Sequence, residues 1–221
     1  MNVRLAIFDC DGTLVDSQAD IALAMEAAFA AHALPAPPRA LIRRIVGLSL
    51  SEAIRQLTPD VDAQTAASLV AGYKDAFRAH RAAGTVLEPL YDGIADLIAE
   101  LAADGWLLGV ATGKSDRGLV HCLERHGLSG HFVTLQTADR HPSKPDPSMV
   151  IACLDATGAS AARTVMIGDT SYDMAMAVNA GVRAIGVDWG YHHPDELIAA
   201  GADAVAGSID ELRVLLATLA P

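Results

Sequence analysis

The sequence has no long apolar stretch, few cysteines and a deficit of positive charge, and each shortage removes a class of protein. The best candidate for a membrane span, residues 19–34, is interrupted by Asp20, Glu26 and His32, whereas a span needs about 20 predominantly apolar residues. No membrane partner is expected. After Arg4 only Leu5 to Phe8 are uninterrupted before Asp9, too short for the apolar core of a secretory leader, so none is expected. Cys10, Cys122 and Cys153 are odd in number and far apart in sequence, which fits neither a disulfide framework nor a zinc site and points to a reducing cytoplasm. Sixteen Lys/Arg against 27 Asp/Glu give a net charge of −11. Binding nucleic acid requires a basic face, so no nucleic-acid partner is expected.

What the chain has in excess is alanine, 42 of its 221 residues, so a hydrophobic content of 52 % describes a helix-rich sequence more than a greasy one. At roughly 150 residues per domain the length suits one domain carrying a large insertion. Charge is unevenly spread. Residues 16–83 hold seven Lys/Arg and seven Asp/Glu, and the remainder holds nine and twenty.

Val3 to Asp9 is a short, nearly continuous apolar run that ends in polar residues, the pattern of a strand covered on both faces. Leu107 to Thr112, Phe132 to Thr137, Thr164 to Ile167 and Val182 to Val187 follow the same recipe, and most precede helical periodicity. Asp92 to Gly105 is one such helix, opening on an acidic N-cap candidate and ending at glycine; Ser115 to Gly127 is another. Strands alternating with helices predict an α/β fold with a doubly wound parallel sheet, a Rossmann-like core. Between the first strand and the rest, helices are predicted over Ser17 to His32 and Ala63 to Ala82, with Asp16 and Ser17 capping the first. Pro38 starts a short helix to Val46, and Ser49 with Glu52 opens a further one as a capping box. The expected division is a core of residues 1–15 and 86–221 with a helical cap of residues 16–85 inserted after the first strand.

In open α/β sheets ligands bind beyond the carboxyl ends of the strands. Standing there are Asp9, Cys10 and Asp11 after the first strand, Thr112, Gly113 and Lys114 after the second, and Gly168, Asp169 and Asp173 after the fourth, with Lys144 in a Lys-Pro-Asp-Pro loop nearby. Any one aspartate could be a helix cap. Several converging carboxylates repel one another by roughly 4 kcal/mol per pair at about 4 Å and an effective dielectric near 20, so the group calls for a cation. Oxygen ligands alone point to Mg²⁺ as the cofactor rather than zinc.

DCDGTLVDS at 9–17, the apolar strand ending in Thr112, Lys144 in SKPDP, and GDTSYD at 168–173 resemble the four ordered motifs of the haloacid dehalogenase-like superfamily, in its subgroup of phosphoglycolate phosphatase-like enzymes with a helical cap. The resemblance covers essentially the whole chain. It implies hydrolysis of a small-molecule phosphate ester with Asp9 as nucleophile and Asp11 as general acid and base. It further implies Mg²⁺ held by Asp9, the backbone carbonyl of Asp11 and Asp169, a phosphoryl grip made by Thr112, the Gly113 amide and Lys144, and Asp173 orienting Lys144 or a water on the metal.

Rival readings are weaker. Gly113-Lys114-Ser115 is similar to the end of a P-loop, but Leu108 stands where its first glycine belongs. A cysteine phosphatase built on Cys10 needs an arginine six residues on, where Asp16 stands, so Cys10 reads as a small buried residue. Phospho-acceptor signalling domains lack an acid two residues past the acceptor and lack a cap. Asp11 also argues against dehalogenases and against phosphonate-cleaving relatives, for which Lys74 is the only cap lysine. Sugar-phosphate mutases of the same fold often carry Val in place of Thr13 and a basic residue in the loop after the counterpart of Gly47, where this chain has Leu48, Ser49 and Leu50.

His121, His126 and His131, five apart, do not share a helix face. His192, His193 and Trp189 read as loop and sheet-edge residues. Specificity is expected from the cap. There, Leu41, Ile42 and Ile45 form an apolar stripe, and Arg44, one turn before Gly47, would reach the site and pair with a substrate carboxylate. That contact favours 2-phosphoglycolate. The sequence carries no signal for an oligomeric state.

Overall fold

The computed structural model describes residues 3–219. Six parallel strands form one sheet: β1 (Leu5–Phe8), β2 (Leu107–Thr112), β3 (Phe132–Thr137), β4 (Thr164–Gly168), β5 (Arg183–Val187) and β6 (Ala204–Ala206), in the spatial order β3-β2-β1-β4-β5-β6. This is the doubly wound order, and it reverses between β1 and β4, the crevice where such sheets bind ligands. β1 is hydrogen-bonded on both sides, Leu5 to Phe8 lying opposite Leu107 to Val110 and Thr164 to Ile167. Its alternation sends Ala6 and Phe8 into one apolar layer, with Leu97, Ile98, Leu123 and Ile167, and Leu5 and Ile7 into the other, with Met149, Met166 and Met174. Burial on both faces explains why these strands read as continuous apolar runs. β6 escapes the sequence reading because three residues carry no usable periodicity.

The core helices are α5 (Ile94–Ala103), α6 (Asp116–Arg125), α7 (Ser148–Thr157), α8 (Ser171–Ala180), α9 (Pro194–Ala199) and α10 (Ile209–Leu219); between β1 and α5 lie α1 (Gln18–Ala31), α2 (Arg39–Arg44), α3 (Leu50–Leu57) and α4 (Ala63–Ala82). The expected N-cap Asp92 is not one. Gly93, with φ 83°, turns the chain into α5, while the neighbouring Tyr91 amide donates to Leu14 O in the linker. Ser17 does not cap α1 with its side chain either. Its hydroxyl is drawn to Asp11, and Asp16 Oδ1 accepts from the Gln18 amide instead. Only half of the capping box at α3 forms: Ser49 Oγ accepts from the Glu52 amide, but the Ser49 amide donates to Ser143 and the Glu52 carboxylate turns to Arg55.

α1 to α4 enclose their own apolar cluster, with Ile21, Met25, Phe29, Ile42, Ile54 and Leu69 meeting Tyr191 from the core side. Leu41 does not join it. It is 51 % exposed where Ile42 is 1 % exposed, because α2 is only six residues long and buries a single row. The two linkers run side by side: Val15 bridges Leu90 in antiparallel fashion, the Asp16 amide donates to Pro89 O, and Asp20 Oδ2 accepts from the amides of Leu87 and Glu88. Among the described residues no helix is long and apolar enough to cross a membrane.

Phe8 is fully buried at the end of β1 and packs edge-on against Phe132, ring centroids 6.4 Å apart. Phe8→Ala is expected to cost about 3–5 kcal/mol. In urea unfolding the midpoint should fall with an unchanged slope.

Candidate active site

The β1 strand hands its register straight to the site, since the Asp9 amide still donates to Ile167 O at 2.9 Å. The chain then turns sharply: the amides of Thr13, Leu14 and Val15 all donate to Cys10 O. Gly12 makes this possible. It has φ 87°, and a Cβ there would lie 2.2 Å from Asp169 Oδ2, so no other residue lets the turn press against the carboxylate that follows β4.

Asp9, Asp169 and Asp173 are all fully buried, and one oxygen from each lies within 4.8 Å of the others. Lys144 enters this group from its loop, with Nζ 2.6 Å from Asp173 Oδ1 and 2.9 Å from Asp9 Oδ1. Asp173 is spent within the protein, its Oδ2 closing a capping box with the Thr170 amide and hydroxyl at the start of α8. Asp169 accepts from Thr13 Oγ1 at 2.8 Å and from the Tyr191 amide at 2.9 Å. Asp9 is different: apart from the Lys144 ammonium on its Oδ1, neither carboxylate oxygen has a hydrogen-bond donor. Burial, followed by Asp173 and Asp11, pushes its carboxyl up to about 7, although Lys144 works against the rise. Burial and the neighbouring Asp173 and Asp9 raise Asp169 well above the carboxylate range. Lys144 is held above its ordinary range because Asp173 and Asp9 outweigh the cost of its burial.

The buried, under-satisfied Asp9 carboxylate beside Asp169, with a surplus of negative charge, makes a donor set of oxygens suited to a hard divalent cation. The Asp11 carboxylate is not part of this set. Asp11 Oδ1 accepts from Ser17 Oγ at 2.5 Å and from Lys114 Nζ at 2.7 Å. Lys114 in turn reaches Glu88 Oε1 at 2.7 Å. One buried lysine after β2 therefore ties together acids from both linkers, and their charges hold it well above its ordinary range against the cost of burial. Sequence reasoning placed Lys114 at the strand end without a role and read Ser17 as a cap, and it missed Glu88. The available signal for Lys114 was its place directly after the strand-end Thr112-Gly113 pair.

Thr112 is buried at the end of β2, and its Oγ1 accepts from the Lys114 amide. Gly113 lies under the loop after α2: a Cβ on it would meet Leu48 O at 2.4 Å and Gly47 O at 2.6 Å. Gly47 is thus brought to the site, at φ 98° and against Thr170. Arg44 is not. Its guanidinium pairs with Glu196 of α9 at 2.8 Å on the outer surface, and it does not line the cavity described below. Nor do the loop residues reach it. Trp189 Nε1 donates to Thr13 O and its ring packs on Tyr91. Buried His192, held neutral by burial, bridges the Ser171 amide to Arg44 O, and exposed His193 caps α9. Cys10 and Cys122, distant in sequence, have their sulfurs 3.9 Å apart as buried free thiols.

Between α1–α4 and the strand ends lies a cavity of about 420 Å³. Asp11, Gly113 and Lys114 form its floor, and Ile21, Met25, Val46, Tyr73 and Phe77 stand among its walls.

The family model described as "Haloacid dehalogenase-like hydrolase" matches residues 6–187. A "Probable phosphatase IndB" of Dickeya dadantii is 37 % identical over 214 residues, 94 % of this chain and 91 % of that protein. A "Phosphoglycolate phosphatase" of Vibrio cholerae is 31 % identical over 223 residues, 96 % of each. Among solved structures, that of a predicted phosphatase from Clostridium acetobutylicum superposes with a TM-score of 0.88 at 27 % identity, covering 98 % of this chain and 99 % of that one.

The raised carboxyls set a pH signature for the metal-free protein. Unfolded, Asp9 titrates near 3.8; folded, near 7. Between those values the unfolded state has released a proton that the folded state keeps, so the cluster's contribution to stability is lost as pH rises through that window. A divalent cation takes the proton's place. Thermal melts should therefore show a larger rise in Tm on adding Mg²⁺ at pH 8 than at pH 5, worth about 2.7 kcal/mol at a hundredfold excess over Kd. Equal rises at the two pH values, or none, would remove the cluster as a metal site.

Proposed function

The chain belongs to the haloacid dehalogenase-like hydrolase family and is a phosphoric monoester hydrolase; we propose that it uses Mg²⁺ to hydrolyse a small-molecule phosphate monoester through a phosphoryl group carried on Asp9, with residues 16–85 acting as its cap. The observation that carries this reading is the state of Asp9: fully buried at the end of β1, beside Asp169, with the Lys144 ammonium as the one donor to its carboxylate.

In this reading an Asp9 oxygen attacks phosphorus and the ester P–O bond breaks. The departing oxygen takes a proton from Asp11 and leaves as the alcohol. Water then attacks the same phosphorus and gives its proton to Asp11, and the Asp9–phosphorus bond breaks to release inorganic phosphate and restore the carboxylate. Lys144 and the Gly113 amide, with Thr112, take the phosphoryl oxygens, and Asp173 fixes the lysine between itself and Asp9. Asp9, Asp169 and the Asp11 carbonyl would hold Mg²⁺, which would supply the positive charge that lets an anionic nucleophile approach an anionic phosphate. Ser17 and Lys114 hold Asp11 at the floor of the cavity, where the leaving group enters. Buried reduced cysteines support a cytoplasmic setting.

The names of the Vibrio relatives make 2-phosphoglycolate the reference substrate. Arg44, engaged by Glu196, gives that choice no support.

The test is phosphate release from a panel of monoesters with Mg²⁺. Asp9→Asn should lose several orders of magnitude in kcat, and retention of more than about a tenth of the wild-type rate would overturn the nucleophile assignment. Asp11→Asn should lose roughly 10²–10⁴-fold. EDTA should abolish turnover, and excess Ca²⁺ should inhibit, since its larger coordination sphere would engage both Asp9 oxygens. Isomerisation of a sugar phosphate without net phosphate release would replace hydrolysis by a mutase reaction.

A further inference from the structure

The cavity above the phosphoryl site has two unlike ends. At the inner end the single lysine, Lys114, is already committed to Asp11 and Glu88. At the outer end Arg81 and Arg117 belong both to the cavity and to a shallow outer groove that includes Val120 and Glu124, which marks them as its mouth. α4 connects the two. Val70, Tyr73, Lys74, Phe77, Arg78 and Arg81 recur at helical spacing and all line the cavity, so one face of that helix runs from an apolar stretch to a cationic one. Ile21 and Met25 of α1 add to the apolar wall.

The cations differ in what they already hold. Arg78 pairs with Asp75. Arg81 is in none of the ion pairs: its guanidinium lies over the Phe77 ring at 5.3 Å, and its Nε and Nη2 are buried without a hydrogen-bond partner. Those two nitrogens share one edge of the guanidinium, the edge that binds both oxygens of a carboxylate. Buried donors left unmade are costly, and an anion that meets them removes the cost. Phe77 also lies 5.9 Å from Lys114 Nζ, so one aromatic ring separates the saturated cation at the floor from the unsatisfied one above.

Resting on the phosphomonoesterase reading, we propose that Arg81 is the specificity-determining residue, and that the substrate is a phosphate monoester whose leaving group is a ring-sized apolar body ending in a carboxylate, with the body against Tyr73, Phe77 and Met25 and the carboxylate on the Nε–Nη2 edge of Arg81. Size separates this class from 2-phosphoglycolate. A volume of about 420 Å³ falls among pockets that enclose drug-sized ligands, roughly 300–1,000 Å³. Glycolate, with two carbons, would leave the apolar wall untouched and place its carboxylate at the floor, where Lys114 has no charge to spare.

The experiment measures phosphate release with Mg²⁺ from 4-carboxyphenyl phosphate, its neutral isostere 4-carbamoylphenyl phosphate, phenyl phosphate and 2-phosphoglycolate, with p-nitrophenyl phosphate as a general substrate. The carboxyphenyl ester should exceed both the carbamoyl ester and 2-phosphoglycolate in kcat/KM by about tenfold or more, chiefly through KM, the size expected of one charge-assisted contact. Arg81→Gln should cancel the preference of carboxylate over carboxamide, and Arg81→Lys, which keeps the charge but not the two-donor edge, should restore only part of it. A kcat/KM for 2-phosphoglycolate equal to or above that of the carboxyphenyl ester overturns the proposal, as does an equal loss on all esters in Arg81→Gln. Both outcomes leave the phosphatase reading standing. Absence of phosphate release from every ester, p-nitrophenyl phosphate included, overturns that reading and the proposal with it.

Discussion

Three buried carboxylates confined with one lysine set the terms for everything around them. Lys144 cannot balance Asp9, Asp169 and Asp173 alone, and burial together with the surplus charge pushes the Asp9 and Asp169 carboxyls toward their neutral forms. The surrounding chain relieves the strain at all but one point. Thr13 and the Tyr191 amide take Asp169, and Thr170 takes Asp173 through backbone and hydroxyl together. Asp9 alone has no donor besides Lys144, and a buried, under-solvated carboxylate is a strong nucleophile and a strong ligand for the same physical reason. The crossover between β1 and β4 is what brings these groups together, since it places the ends of two adjacent strands side by side with no helix between them.

A second buried lysine organises the approach to that centre. Lys114 sits where the two linkers pass the end of β2 and neutralises an acid from each, Asp11 before α1 and Glu88 after α4. Glu88 reaches it from a left-handed backbone, φ 36°, a conformation a non-glycine residue keeps only when its surroundings enforce it. Asp20 supplies that enforcement by accepting the amides of Leu87 and Glu88. Asp11 and the linker that follows α4 are thus bound to one ammonium group. The position of Asp11 and the path of both linkers are parts of a single electrostatic arrangement.

Which parts of this were legible in the sequence follows from the range of the signals. β2, β3 and α4 occupy the residues that local periodicity assigned them, because each is long enough to repeat its pattern. Asp9 and Asp169 could be singled out because strand ends in a parallel sheet are predictable places and charged residues there are uncommon, and Lys144 because its SKPDP loop resembles a family motif. Glu88 left no trace: an acid in a loop looks solvated until the fold buries it against a lysine 26 positions away. Arg44 failed in the opposite sense. Helical spacing gave it a plausible face, but α2 is a six-residue helix whose end lies beside α9, and Glu196 there holds the side chain. Similarly, Asp92 and Ser17 have the right chemistry for caps, but Gly93 takes the N-cap position of α5 and Asp11 draws off the Ser17 hydroxyl.

The face of α4 that walls the cavity shares no residue with the acid cluster, and the helix's inner row, through Leu69, is what anchors it to the neighbouring helices. Substitutions at Lys74, Arg78 or Arg81 can therefore accumulate without touching the phosphorus chemistry or the packing that keeps the helix in place, whereas Tyr73 and Phe77 also pack against the apolar cluster of α1–α4. Over evolutionary time, a lineage carrying this scaffold can exchange one ester for another by drift along a single helical stripe, while selection on the strand ends stays unrelenting.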